Sequence, residues 1–325
     1  MARKLRAVTE QHMRGSMQTA EASQPSLTFA DVLQICEFRT KIVSTSSVLI
    51  GSLAAAVAGR FSWMTFALFA LGAFFVDIGT ASFNSYFDFR SGVDTRESDH
   101  EKMKALVQRG LDPNYALTIA LVSFAIAAAF GLVLGARLGW ELVGAGAVCM
   151  LVAFFYSAGP RPLSSTAVGE LFAGGVMGAV LLSLASYAQL GRIDASTLLL
   201  GVPSTLFIAA ILTVNNSCDI VGDTRAGRRT LSILLGAERA RRVIDAELAL
   251  GCAFAFALIP LGVVPLIALL PLSLSALVTV RLTRRLHARG YTHATKAPSM
   301  ADIGAIFAVY SLAILASLAL RLVTR

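Results

Sequence analysis

The hydrophobic positions of this chain fall into long blocks almost free of charge, and the charged positions crowd into short segments between them. Uncharged stretches cover residues 42–59, 113–136, 142–160, 171–191, 195–218 and 303–320, and 61–87 is broken only by Asp77. A hydrocarbon layer of about 30 Å takes about 20 apolar residues as helix, because lipid offers the backbone no hydrogen-bond partner. Each block therefore predicts one spanning helix. The block 248–280 is too long for one span and carries Pro260, Gly262 and Pro265 near its middle. Those residues stop a helix and turn the chain, so the block predicts a hairpin of two. The pattern as a whole predicts an all-α polytopic membrane protein with nine transmembrane helices.

Composition agrees. Of the 325 residues 56% are hydrophobic and 15% charged, which excludes an ordinary soluble domain. Residues 1–31 are polar and basic with no apolar core, which predicts a mostly disordered cytoplasmic tail and no cleaved signal peptide, with 32–325 as a single transmembrane domain. Of the 28 Lys and Arg residues only Arg60, Arg137, Arg192, Arg321 and Arg325 fall on the side opposite the amino terminus. The excess of basic residues predicts that the amino terminus is cytoplasmic and that the protein sits in the cell membrane. The net charge of +8 then reflects topology and contact with anionic membrane lipid, and no basic folded domain suited to nucleic acid is present. Cys36, Cys149, Cys218 and Cys252 lie in or beside apolar segments without metal-ligand spacing and are expected to pack.

Two acidic clusters carry the candidate chemistry. The second helix ends in N-S-Y-F-D-F-R-S-G-V-D, placing Asn84 and Asp88 on one helical face with Asp94 beyond a break at Gly92. The sixth ends in N-N-S-C-D-I-V-G-D, where Asn215, Asp219 and Asp223 repeat the spacing of four beside Asn216. Carboxylates grouped in this way repel one another unless cations sit among them. Hard oxygen ligands suit Mg2+, which keeps several waters and binds substrate phosphate. Two facing clusters could hold a diphosphate through bridging metals, with Lys102, Lys104, Arg225, Arg228 and Arg229 close by to meet phosphate oxygens. A lone acidic residue at a helix end is ordinarily a solvated charge; the repetition in two helices is what points to a site. Asp77 lies near the same face and is open between a paired packing residue and a cavity-lining one.

With these residues the chain resembles the UbiA superfamily of membrane prenyltransferases, in particular its 1,4-dihydroxy-2-naphthoate branch in menaquinone synthesis. Three stretches carry the resemblance: N-S-Y-F-D-F-R-S-G-V-D-T (84–95), Y-S-A-G-P-R-P-L-S (156–164) with G-E-L (169–171), and N-N-S-C-D-I-V-G-D-T-R-A-G-R-R-T-L-S-I-L-L-G (215–236). The interval of ten from Asn84 to Asp94 is similar to the naphthoate branch. Two positions depart from the family pattern: Ser85 stands where a second acidic residue is usual, and Cys218 where Arg is common.

The resemblance implies a helical bundle with a central cavity, Mg2+ at the two Asp motifs, a polyprenyl diphosphate donor, and an aromatic acceptor, 1,4-dihydroxy-2-naphthoate, whose carboxylate leaves as CO2. It implies metal and diphosphate roles for Asn84, Asp88, Asp94, Asn215, Asp219 and Asp223, and cavity-lining roles for Tyr156 and Arg161. Arg39 and Lys41, at the start of the first helix, could meet the acceptor or diphosphate, or could be interfacial anchors. Gly174 and Gly178 form a G-x-x-x-G that close helix packing explains. His12, His100, His287 and His293 are expected to be solvated, with no nucleophile–histidine arrangement among them. Two alternatives stay open. One is the same reaction on 4-hydroxybenzoate, homogentisate, heme or a glycerol phosphate, which a panel of acceptors would separate. The other is a cation-coupled transporter, which would move ions and form no prenyl product.

Overall fold

The computed structural model describes residues 25–94 and 104–323. The tail through residue 24, and with it His12, lies outside the described residues, as do His100 and Lys102. The described residues form helices and turns with no strand. Their helices are α1 (Phe29–Ile35), α2 (Ile42–Val57), α3 (Trp63–Ser91), α4 (Ala105–Arg109), α5 (Asn114–Leu138), α6 (Glu141–Ser157), α7 (Gly169–Leu190), α8 (Ala195–Cys218), α9 (Ile220–Arg225), α10 (Leu231–Leu235), α11 (Ala237–Ala257), α12 (Leu269–Arg289) and α13 (Lys296–Val323).

Six helices are long and apolar enough to cross a membrane: α3, α5, α7, α8, α13, and α12 with its preceding turn. The apolar helices α2 and α6 are shorter, and α11 begins with two charged turns before its apolar half. The long block 248–280 is indeed split. Between α11 and α12 the chain turns through Leu258–Pro265 with Gly262 at φ 70°, a conformation glycine adopts without cost.

The helices differ in how deeply they sit. In the most apolar window of α8, 61% of residues are buried, against 22% for α3 and α5. So α8 runs through the centre, packed by α7, α11 and α13, while α3 and α5 pair at the rim. Lipid tails are as apolar as leucine, so close approach of backbones holds such helices together. The G-x-x-x-G of α7 does this. A Cβ on Gly174 would lie 2.6 Å from the Thr205 carbonyl oxygen, and one on Gly178 would lie 2.5 Å from the Thr205 nitrogen. The same stretch, Gly175–Val180, is wound as a π-helix. Deeper in the core Phe207 stacks on Tyr310 with ring centroids 4.3 Å apart, and the Tyr310 hydroxyl bonds Ser204 at 2.9 Å.

The fold starts before the first long helix. Thr28 caps α1 in a reciprocal capping box with Asp31, whose carboxylate also receives the Arg109 guanidinium. Ile35, Ala105, Leu106, Leu111 and Ala116 form a small separate core. Ser85 donates to the Ile35 carbonyl at 3.2 Å. Together these contacts seat α1 and α4 on the end of α3 that carries the first acidic cluster.

Candidate active site

Helix α3 stays helical through Ser91, so Asn84 and Asp88 lie one turn apart on one face, and both line a large cavity. Gly92 ends the helix at φ 73°, where a side chain would be strained. The amides of Val93 and Asp94 then fold back onto the Asp88 carbonyl at 3.0 and 3.2 Å. This turn delivers Asp94 to the same place as Asp88, and Lys104 Nζ meets its carboxylate at 2.8 Å. Burial opposes the charge on Lys104, yet the carboxylates of Asp94, Asp88 and Glu37 outweigh it and raise the lysine's pKa. Its ammonium stays charged.

The second cluster uses the same spacing and a different break. Helix α8 stops at Cys218, Asp219 takes φ −104° and ψ 8°, and the short α9 carries Asp223 onward. Asp219 accepts from Lys296 Nζ at 2.7 Å and lies 3.1 Å from His293 Nδ1. Asp223 pairs with Arg228 Nη1 at 3.1 Å, and Arg228 Nη2 donates to the Ser164 carbonyl at 2.9 Å. The Arg229 amide bonds the Ser165 carbonyl at 2.8 Å, so the loop after α9 is pinned to the turn before α7. Burial raises the Asp223 pKa, with Asp219 adding to the effect and Arg228 opposing it. Its Oδ2 is buried without a hydrogen-bond partner. Arg228, paired with Asp223, lines the same cavity as both clusters, and the carboxylates of Asp223 and Asp88 both raise its pKa.

The structure gathers Asn84, Asp88, Asp94, Lys104, Tyr156, Asn215, Asn216, Asp219, Asp223 and Arg228 around one cavity. It does not bring in the rest of the expected set. Arg161, Arg225 and Arg229 are exposed and do not line the cavity; Arg225 ends α9, and the other two sit in loops. Lys41 is buried, but its ammonium bonds the Asp77 carboxylate at 2.8 Å and the Asp77 carbonyl at 3.1 Å. Asp77 also accepts from Ser44 at 2.5 Å and does line the cavity, so both readings of Asp77 hold at once. Of Arg39 only the backbone is described, in the turn Phe38–Lys41.

Four residues of the site lay outside the expected site set. His293, expected to be solvated, lines the cavity against Asp219. Their separation of 74 positions hides the pairing from any local pattern. Lys296, the first residue of α13, lines the cavity as well. Glu37 lines the cavity from a left-handed backbone with φ 48°. Glu170 is 3% exposed and accepts from Asn216 Nδ2 at 2.8 Å. Only the glutamate had a signal, in the G-E-L stretch. Gly169 lets the chain close up there, since its Cβ would sit 2.9 Å from the Leu163 carbonyl.

The cavity measures about 1420 Å³, more than the roughly 300–1,000 Å³ of common small-molecule pockets. One end holds the charged residues. The remainder is apolar, lined by residues such as Phe69, Val76, Met150, Phe172, Leu184 and Ile211, and small residues at Gly72, Gly131 and Gly146 keep it wide. Among the described residues no three His, Cys, Asp or Glu side chains converge as a ready-made metal cage. The arrangement suits an amphiphile with an anionic head and a long apolar tail.

Comparison with known proteins bears on this geometry. The UbiA prenyltransferase family profile matches residues 44–320. A 1,4-dihydroxy-2-naphthoate octaprenyltransferase of Bacillus subtilis is 32% identical over 229 residues, which is 70% of this chain and 73% of that protein. The Mycobacterium tuberculosis protein of the same description is 30% identical over 284 residues, 86% of this chain and 94% of its own length. Among solved structures, the apo UbiA homolog of Aeropyrum pernix superposes with a TM-score of 0.66 at 18% identity, covering 84% of this chain and 97% of that one. A UbiA homolog of Archaeoglobus fulgidus bound to DMAPP and Mg2+ does so with a TM-score of 0.58 at 17% identity, covering 88% and 99%.

Proposed function

The chain belongs to the UbiA prenyltransferase family, and on that premise we propose that it transfers a polyprenyl group from polyprenyl diphosphate to 1,4-dihydroxy-2-naphthoate, with Mg2+ as cofactor. The observation that carries the reading is the cavity that both acidic clusters line and that continues into an apolar body large enough for an isoprenoid chain. The acceptor is supported by the naphthoate prenyltransferases of Bacillus and Mycobacterium at 30–32% identity and by the spacing of Asn84 and Asp94. The basic residues of the tail and loops support placing the clusters at the cytoplasmic face of the cell membrane, within a single domain running from residue 32.

The site's donors fit Mg2+. Asp88, Asp94, Asp219 and Asp223 with Asn84 and Asn215 offer hard oxygen ligands, and the unpartnered Oδ2 of Asp223 is an open acceptor. When bound, the metal would neutralise diphosphate as the allylic C–O bond breaks.

The protein's own groups do the rest. Lys104 and Arg228, one beside each cluster, hold the diphosphate oxygens and keep their charge through departure. The apolar walls keep the prenyl chain extended and exclude water from the cationic carbon, so that the electron-rich ring carbon is the nucleophile at hand. Attack forms the carbon–carbon bond, and the ring carboxylate leaves as CO2 to restore aromaticity.

The test uses purified protein with Mg2+, a polyprenyl diphosphate and 1,4-dihydroxy-2-naphthoate, scored by mass for demethylmenaquinol and for the demethylmenaquinone that it becomes on oxidation by air. Transfer to 4-hydroxybenzoate or homogentisate in place of the naphthoate would overturn the acceptor and keep the reaction class.

A further inference from the structure

Glu170 takes no part in the chemistry above, yet it is 3% exposed, and its Oε1 accepts from Asn216 Nδ2 at 2.8 Å. Its Oε2 is buried without a partner. A carboxylate offers the amide accepting oxygens, whereas an amide has one accepting and one donating end. Glu170 therefore fixes which end of Asn216 turns inward: the NH2 faces the glutamate, and Oδ1 is left for the cavity that Asn216 lines. Asn84 is not fixed in this way. Its partner is the Ser157 hydroxyl at 3.0 Å, which can rotate to donate or accept. Glu170 is itself held in place, because Gly169 lies against the Leu163 backbone and the adjoining turn is tied to Arg228 and Arg229.

An inward amide oxygen repels phosphate oxygens and welcomes a cation or a hydrogen-bond donor. We infer that Glu170 is a positioning residue that turns the Asn216 amide oxygen toward the cavity, where it accepts a hydrogen bond from a ring hydroxyl of the aromatic acceptor. This rests on the prenyl-transfer reading. It also assigns Asn216 to the acceptor and not to the diphosphate.

The isosteric variant Glu170→Gln offers Asn216 a partner of either polarity and so frees the amide to rotate. The expected result is an acceptor KM raised about tenfold, the worth of one well-placed hydrogen bond, with kcat and the affinity for geranyl diphosphate with Mg2+ unchanged. Donor affinity is read separately, from the shift in melting temperature on titration. Asn216→Ala should match Glu170→Gln in acceptor KM, and the double variant should be no worse than Asn216→Ala alone. Glu170→Asp, which keeps the acceptor-only polarity, should restore part of the loss. As a competitor, a naphthoate lacking one hydroxyl should bind wild type and Glu170→Gln equally if that hydroxyl is the one Asn216 holds. Additive losses in the double variant, or weakened geranyl diphosphate binding in Glu170→Gln, would overturn the inference. Wild-type protein that prenylates no aromatic acceptor would instead overturn the underlying reading, whatever the variants did.

Discussion

The two acidic clusters share a spacing and differ in how the protein braces them. Asp219 is held by Lys296 and His293, and Asp223 by Arg228, all within 3.1 Å. In the first cluster Lys104 holds Asp94, while Asp88 makes no ion pair among the described residues. The second cluster is thus pre-neutralised by the protein's own cations, and the first leaves its central carboxylate turned to the cavity. Like charges gathered in a poorly solvated place need counter-charge. The difference suggests a division of labour in which the second cluster is a fixed platform and Asp88 engages mainly what is bound.

The strongest way to break that comparison is to remove the central carboxylates. Asp88→Ala and Asp219→Ala should each lower Mg2+-dependent transfer by about 10²-fold or more, as expected for a group that stabilises the departing charge. The two should separate in stability: Asp88→Ala should keep the wild-type melting temperature and Asp219→Ala should lower it, since its contacts with His293 and Lys296 are removed. Full activity in either purified variant would sink the proposed site.

Arg228→Met should come next. It strands the buried Asp223, a loss of about 3–5 kcal/mol for a broken buried pair, read as a lowered melting temperature together with lost activity. Arg228→Lys keeps the charge and cannot reach both Asp223 and Ser164, so it should fall between. Lys104→Ala should act on binding more than on stability, weakening prenyl diphosphate about tenfold, measured as donor KM. Arg225→Ala and Arg229→Ala, both exposed and outside the cavity, should change activity by no more than about twofold. A large effect from either would mean that the loop after α9 folds inward when substrate is bound.

Much of the architecture was legible because the bilayer makes the pattern obligatory. A helix in lipid must be apolar over its length, so block lengths gave the helix positions, and the Gly262 turn fell inside the long block that Pro260 and Pro265 had marked. The clusters were legible for a similar reason, since a spacing of four on a helix puts side chains on one face wherever the helix runs. Positions set by loops were less so. Arg225, Arg228 and Arg229 are near neighbours in sequence, yet only Arg228 enters the cavity, because the turn at Gly227 and the tie of Arg229 to Ser165 orient them separately.

The sequence by itself determined the helices, the two acidic faces and the close-packing glycines, all of which follow from local periodicity and the solvent the chain must live in. Only the tertiary structure decided which charges meet. Lys41 turned to Asp77, His293 and Lys296 came to Asp219 across 74 and more residues, and Glu170 came to Asn216. These pairings are set by how distant helices pack, and ion pairs and amide orientations are decided within a few ångströms, a scale that no spacing along the chain encodes.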